Sequence, residues 1–222
     1  MSTNYFSLKF NEDELMKKFC KYWKHAIWMY EMLNESFRWY HSEQKRDAFS
    51  DDILKLENQS NKMRAELIDD AIWAISKNQP HASHLRFVVA IISSSFDLER
   101  ICDYANNIRK FLVLSDISDD YVLHIITNIM SLVTKKNSEI FLFFVKNSAI
   151  ESYEFAKKQK TDFKNLFQKY VKKIKKIFNE ISVDLFVELI LVLKYIERTI
   201  DHVIDIVQKF VYIKKHNFFF NN

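Results

Sequence analysis

The sequence contains no glycine and a single proline, Pro80. An average chain of this length carries about fifteen glycines. Tight turns, hairpins and small barrels depend on backbone positions with positive φ that glycine supplies at no cost. Their absence argues against a β-rich fold. It also removes every glycine-dependent active-site loop: the P-loop, the dinucleotide fingerprint and the nucleophile elbow. Cysteine is nearly missing too. Cys20 and Cys102 have no CxxC spacing, which excludes a disulfide framework and makes the cytoplasm the natural compartment. The first residues lack the apolar core of a secretion signal. The strongest apolar runs, Phe87–Ile92 and Ile140–Val145, fall far short of the roughly 20 residues that span a bilayer. The seven histidines are scattered, and no nucleophilic triad or dyad assembles from the sequence.

What is present is apolar and aromatic. Hydrophobic residues make up 48% of the chain and aromatics 15%, enough for a sizeable core in 222 residues. Without glycine or proline, such a chain makes long helices with short connections. The expected fold class is all-α. Helix one is expected to start after Asn11, with Glu14 completing a near capping box, and to run to about Trp39. Its stripe is Leu15, Met16, Phe19, Tyr22, Trp23, Ile27 and Tyr30. His41–Arg46 reads as a turn. Helix two carries Ile53, Leu56, Met63, Leu67, Ile68, Ile72 and Ile75, and stops near Asn78 because the residue before proline resists the α region. Helix three is expected from about His81 to Leu114. Ser115–Asp120 is a short boundary rich in capping residues, with Ser118 starting helix four, which continues through Ile125, Ile129, Leu132 and Ile140 to Val145. Helix five spans about Ala149–Asn179. Helix six starts near Ser182, holds Phe186, Leu189, Leu193, Ile196, Ile200 and Ile204, and ends near Lys215. The expected domains are 1–114 and 115–222, two tandem three-helix bundles.

Charge is modest overall, at +4, but unevenly placed. Lys157–Lys176 holds nine lysines and one acid, Asp162. Interleaved Phe163, Leu166, Phe167, Tyr170 and Val171 mark one face as core. The other face is either a solvated exterior or a surface for anionic lipid or an acidic partner. No nucleic-acid reader motif is present. The tail from Lys214 to Phe220 is basic, then aromatic. It reads as a frayed end or as a segment that dips into a membrane interface.

One phrase occurs twice. Leu98–Ile108 reads Leu-Glu-Arg-Ile-Cys-Asp-Tyr-Ala-Asn-Asn-Ile, and Ile196–Ile206 reads Ile-Glu-Arg-Thr-Ile-Asp-His-Val-Ile-Asp-Ile. Glu99 and Glu197 are 98 positions apart (197 less 99), close to half the chain. Repetition at that distance points to two copies of one structural unit. Each copy sets Glu and Asp at i and i+4, one turn apart on the same helix face. Such pairs can converge with acids on a neighbouring helix into an oxygen-rich cation site. A solvated ion-paired face, with Arg100 and Arg198 as partners, is the commoner use of such residues.

These residues resemble the paired signature of the PhoU family of phosphate-transport accessory proteins. Asn78–Arg86, with its Gln-Pro-His-Ala-Ser-His-Leu-Arg run, is similar to the segment that opens the family's third helix, and Lys194–Arg198 to its second-repeat wording. The resemblance implies six helices in two repeats and a metal cluster on each signature surface. By carry-over, Glu99 and Asp103 are ligands of one site, with Glu57 from helix two. Glu197 and Asp201 are ligands of the other, with His202 or Asp205 adding to it. The metal would be iron, manganese, magnesium or zinc.

It further implies a non-enzymatic regulator. Such a protein restrains the phosphate ABC transporter through its ATPase subunit and relays phosphate status to a sensor kinase where one exists. A homodimer, cytoplasmic or peripheral at the inner face of the membrane, is the family expectation. The sequence departs from the family at Cys102 and Ile200, where the signature has glycine, and at His84, where the opening segment has aspartate. It also departs at Lys157–Lys160, where helix five would complete the second site with acids. Two other classes compete: a carboxylate-bridged metalloenzyme, and a metal-free helical adaptor. His81 and His84, at i and i+3, could bind metal, though they overlap a helix start and suit capping or a surface role better.

Overall fold

The computed structural model describes residues 2–115, 117, 120–177 and 181–215. Among these there are six helices and no strand. They are α1 (Ser2–Arg38), α2 (Glu43–Asn78), α3 (Ser83–Leu114), α4 (Asp120–Lys146), α5 (Ala149–Lys176) and α6 (Val183–Lys215). Each follows from an apolar stripe uninterrupted by glycine or proline. Their ends follow from the few residues that can stop a helix. At the end of α2, Gln79 takes the left-handed position that glycine usually fills, φ 44° and ψ 57°, and its N–H donates to the Ile75 carbonyl. Ala82 is also at positive φ, 51°. A non-glycine residue held there costs on the order of 1 kcal/mol. Pro80 between them bars any continuation of the helix.

Two boundaries differ from expectation. α1 starts at Ser2, so Asn11 and Glu14 lie inside the helix and form no capping box. Asn is only mildly unfavourable in a helix interior, and nothing before it breaks the helix. Glu14 pairs with Lys17 instead, at 2.7 Å. The reversal between α1 and α2 is tighter than His41–Arg46, because Glu43 is already helical. The expected roles of Ser118 and Asn179, and the Phe218–Phe220 tail, fall outside the described residues. At the start of α5, Ser148 and Glu151 form a full capping box: Ser148 Oγ accepts from the Glu151 N–H, and Glu151 accepts from the Ser148 N–H at 3.0 Å.

α1, α2 and α3 pack on one another, as do α4, α5 and α6. The two sets meet where α3 lies against α6 and α1 against α4 and α6. The buried apolar residues of both sets form one continuous core. Trp23 sits near its centre, fully buried, with ring centroids 5.4 Å from Phe141 and 5.3 Å from Phe144. Its indole N–H donates to Asn137 Oδ1 at 2.8 Å. Tyr30 Oη meets Thr199 Oγ1 at 2.5 Å, and Asn34 donates to Thr134 at 2.9 Å. α1 is thus tied to both α4 and α6.

The expected stripes of α1 and α6 are buried or partly buried throughout. That of α2 is narrower than expected. Leu67, Ala71 and Ala74 face the core, while Ile72 and Trp73 lie half-exposed. Alanines let α2 approach its neighbours closely, so the larger residues one step around the helix face outward. Val145 at the end of α4 is exposed as well.

His25 is buried in α1, and its Nε2 meets the Leu56 carbonyl at 2.8 Å. Burial holds its pKa below the ordinary value, Lys21 adds to this, and the Leu56 carbonyl opposes it. The unfolded chain therefore binds the proton more readily than the folded one. His25 contributes its full share to stability above the ordinary histidine pKa of about 6.5. That share shrinks as pH falls from there toward the depressed folded value. Thermal melts at pH 7 and pH 5 should show a smaller difference for His25→Gln than for the parent. Equal differences would remove His25 as a source of acid sensitivity.

Candidate functional site

The two signatures lie on α3 and α6, which run antiparallel. Asp97 meets His202, Tyr104 stacks on Tyr195 with centroids 5.4 Å apart, and Ser115 reaches Glu188. Each Glu-x-x-x-Asp pair faces its own neighbour, α2 for the first copy and α5 for the second.

At the first copy, Glu99 accepts a charged contact from Arg64 of α2, Nη1 to Oε1, at 2.9 Å. Asp103 lies 3.9 Å from Arg100, and Glu57 of α2 accepts from Asn61 at 2.9 Å. The three acids share one field. Burial pushes the Asp103 carboxyl above its ordinary pKa, and so do Glu99 and, more weakly, Glu57, while Arg100 and Arg64 pull it down. Negative charge is in excess, which is what a cation would relieve. By charge and donor type Glu57, Glu99 and Asp103 suit a cation, but among the described residues the group whose ligand atoms lie within 4.8 Å of one another is Asp97, His202 and Asp205. Cys102 does not join the three acids as a thiolate. It is fully buried, and its thiol is pushed up to about 12, chiefly by burial. It packs where the family has glycine.

The second copy is built differently. Lys160 of α5 places Nζ 2.9 Å from Asp201, Arg198 lies 3.9 Å from the same carboxylate, and Lys194 pairs with Glu197 at 2.8 Å. Lys160, Glu197 and Asp201 border a cleft of about 250 Å³ with Lys164, Phe163, Phe167 and Ile200. The positive charge that a metal would bring to Asp201 is already supplied by lysine. Glu197 and Asp201 each already hold a cationic partner, and they are not in the group that brings three ligand atoms together.

Asp205 faces elsewhere. It lies with His202 and Asp97 at the seam between α3 and α6, and these three offer ligand atoms within 4.8 Å of one another. His202 Nδ1 is 3.0 Å from Asp97 Oδ1, and its Nε2 is 3.4 Å from Tyr104 Oη. Lys209 pairs with the other oxygen of Asp97 and donates to the Ser93 carbonyl at 3.1 Å. The Asp205 carboxyl is pushed up first by burial and next by Asp97, with His202 and Lys209 opposing.

Sequence reasoning nominated His202 and Asp205 and missed Asp97, Arg64 and Lys209. A sign of Lys209 was available: His202, Asp205 and Lys209 stand at i, i+3 and i+7, on one helix face. Asp97 joins them only through tertiary packing. His84 Nδ1 is 2.8 Å from Glu12 Oε1, so it fastens the start of α3 to α1. On α5, the face bearing Phe163, Phe167 and Ile174 is core, and Lys157, Lys158, Lys164, Lys169, Lys172 and Lys173 are exposed. Among the described residues no helix is long and apolar enough to cross a membrane.

Comparison with known proteins gives a consistent picture. Residues 28–112, which include the first signature, match the family described as PhoU domain. A protein of Mycoplasma genitalium described as uncharacterized is 48% identical over 109 residues, 49% of this chain and 48% of that protein. The chain thus covers about half the length of the curated relatives it matches. A Pseudomonas aeruginosa protein named phosphate-specific transport system accessory protein PhoU homolog is 31% identical over 58 residues, 26% of this chain and 24% of its own. The fold matches the crystal structure of the phosphate transport system regulatory protein PhoU from Streptococcus pneumoniae with a TM-score of 0.76. That match covers 96% of this chain and all of the other, at 17% identity.

Proposed function

Because this chain belongs to the PhoU family, we propose that it is a regulator of phosphate uptake that restrains a phosphate ABC transporter. The observation that carries this reading is the PhoU-domain match over residues 28–112, which contains Glu99 and Asp103. Residues 1–114 and 115–222 are its two repeats. The contact is with the transporter's ATPase subunit, and a sensor kinase receives the phosphate signal where one exists. The protein acts by binding rather than by catalysis, as a homodimer on the cytoplasmic side. The lysine face of α5 is the side that meets an anionic membrane surface or an acidic partner.

Glu57, Glu99 and Asp103 would hold a cation at the first signature. Bound there, the metal would supply positive charge that lets three crowded carboxylates stay ionised. Arg64 holds Glu99 in place for that role and keeps α2 against α3. At the second signature, Lys160 performs the neutralising task with no metal. The two copies therefore present different surfaces to a partner.

The test is a transporter reconstituted in vesicles with its ATPase subunit. Adding the protein at high phosphate should lower ATP hydrolysis and phosphate uptake several-fold. Glu99→Ala/Asp103→Ala should restore both towards the unrestrained rate. Unchanged hydrolysis and uptake on addition of the parent protein would overturn the proposal.

A further inference from the structure

We propose that Asp97, His202 and Asp205 form a divalent-cation site at the seam between α3 and α6, with the Lys209 ammonium as the resident cation that the metal displaces. The donor set is one imidazole and two carboxylates, which suits zinc or manganese rather than calcium. The three ligand atoms already lie within 4.8 Å of one another. Two of them, His202 Nδ1 and Asp97 Oδ1, are 3.0 Å apart. Ligands bound at about 2.1 Å to one tetrahedral ion stand roughly 3.4 Å apart, so only Asp205 has to close in. Asp205 is the most exposed of the three residues, although its carboxyl lies close enough to the seam to be partly desolvated. Asp97 is buried and fixed by packing.

The imidazole is oriented for this task. His202 Nε2 points at Tyr104 Oη, 3.4 Å away, and Tyr104 is itself stacked on Tyr195. Without an ion, the Nδ1–H of His202 donates to the Asp97 carboxylate; with an ion bound, the proton would sit on Nε2 and the Nδ1 lone pair would face the metal. A metal-bound histidine is commonly steadied through its other ring nitrogen in this way. Charge points the same way. One ammonium, from Lys209, serves two carboxylates that face each other, so the cluster keeps a net negative charge when His202 is neutral. A divalent ion with Lys209 swung outward balances it. The lysine side chain is about a quarter exposed (27%), so solvent already reaches it.

This site is separate from the Glu-x-x-x-Asp surfaces. Those face α2 and α5, whereas Asp97 and His202 join one half of the chain to the other. An ion here would fasten the two halves together.

The test uses chelator-treated full-length protein titrated with Zn²⁺ and with Co²⁺, read by calorimetry and by the cobalt d–d absorption. The parent should bind one ion in a manner lost with His202. His202→Gln and Asp205→Asn should each weaken it at least tenfold, with circular dichroism confirming that both variants fold. Lys209→Met should tighten it by about tenfold, because the competing ammonium is gone. Zn²⁺ should also raise the melting temperature of the parent but not of His202→Gln. Failure of both the parent and Lys209→Met to bind would overturn the proposal and leave a salt-bridge network closed by Lys209. So would binding that His202→Gln and Asp205→Asn leave unchanged, since the ion would then lodge elsewhere.

Discussion

Replacing Trp23 by alanine should destabilise the protein by about 4 kcal/mol, the range for removing a large buried aromatic being about 3–5. The indole fills the space between α1 and α4 and touches Phe19, Phe141 and Phe144. No small side chain can close that space, because Phe210 already packs on Phe19 and Phe144 from the α6 side. Truncation also strips Asn137 Oδ1 of its donor in a buried setting, a further cost within that range. In a chain of this size the fall in melting temperature should be about 10 °C or more. Trp23→Phe should cost much less, about 1–2 kcal/mol, since it keeps a ring and loses the hydrogen bond and only part of the buried volume. Urea unfolding followed by far-ultraviolet circular dichroism measures both. A loss below 1 kcal/mol for Trp23→Ala would mean that the halves are not joined through this residue.

The second large effect concerns the positions where the family signature has glycine. Ile200→Gly restores that residue and should cost about 4 kcal/mol. Removing the buried isoleucine to the β-carbon accounts for about 3 of this, and glycine in a helix interior for about 1. Ile200 is buried and lines the α5–α6 cleft with Phe163 and Phe167. The second signature is thus filled with hydrocarbon and lysine at the position where the signature it resembles has glycine. Cys102→Gly should cost only about half as much, because the cysteine side chain is smaller. If both substitutions cost the same, Ile200 would not be a packing anchor, and the contrast drawn between the two copies would fail.

Much of this architecture could be read beforehand, and the reasons are local. A chain without glycine has few ways to end a helix, so Pro80 and the Ser- and Asp-rich stretch after Leu114 marked the connections. Leu15, Phe19, Trp23 and Ile27 declared the buried face of α1 by spacing alone. Asn11 misled because a good capping residue is only mildly unfavourable inside a helix, and the residues before it continue the helix without a break. Ile72 misled because spacing does not tell which neighbour a helix will have. α2 meets its neighbours through alanines, and bulk is left outside. At the site, Glu99 and Asp103 were visible as a repeated phrase, but Arg64, Asp97 and Lys209 were not. Their partners lie 35, 105 and 112 positions away, and no local pattern encodes such a meeting.

The contact between Tyr30 and Thr199 spans 169 residues of chain. A ribosome adds about 5–20 residues per second. The buried face of α1 therefore waits on the order of ten to thirty seconds for α6 to be made. Until α4 is made Trp23 lacks Phe141 and Phe144, and until α6 is made Phe19 lacks Phe210 and Tyr30 lacks Thr199. A nascent chain of this kind carries a large oily surface through most of its synthesis. α6 completes the cover, so early termination anywhere before it leaves a product fit for chaperones or proteases rather than a smaller working protein.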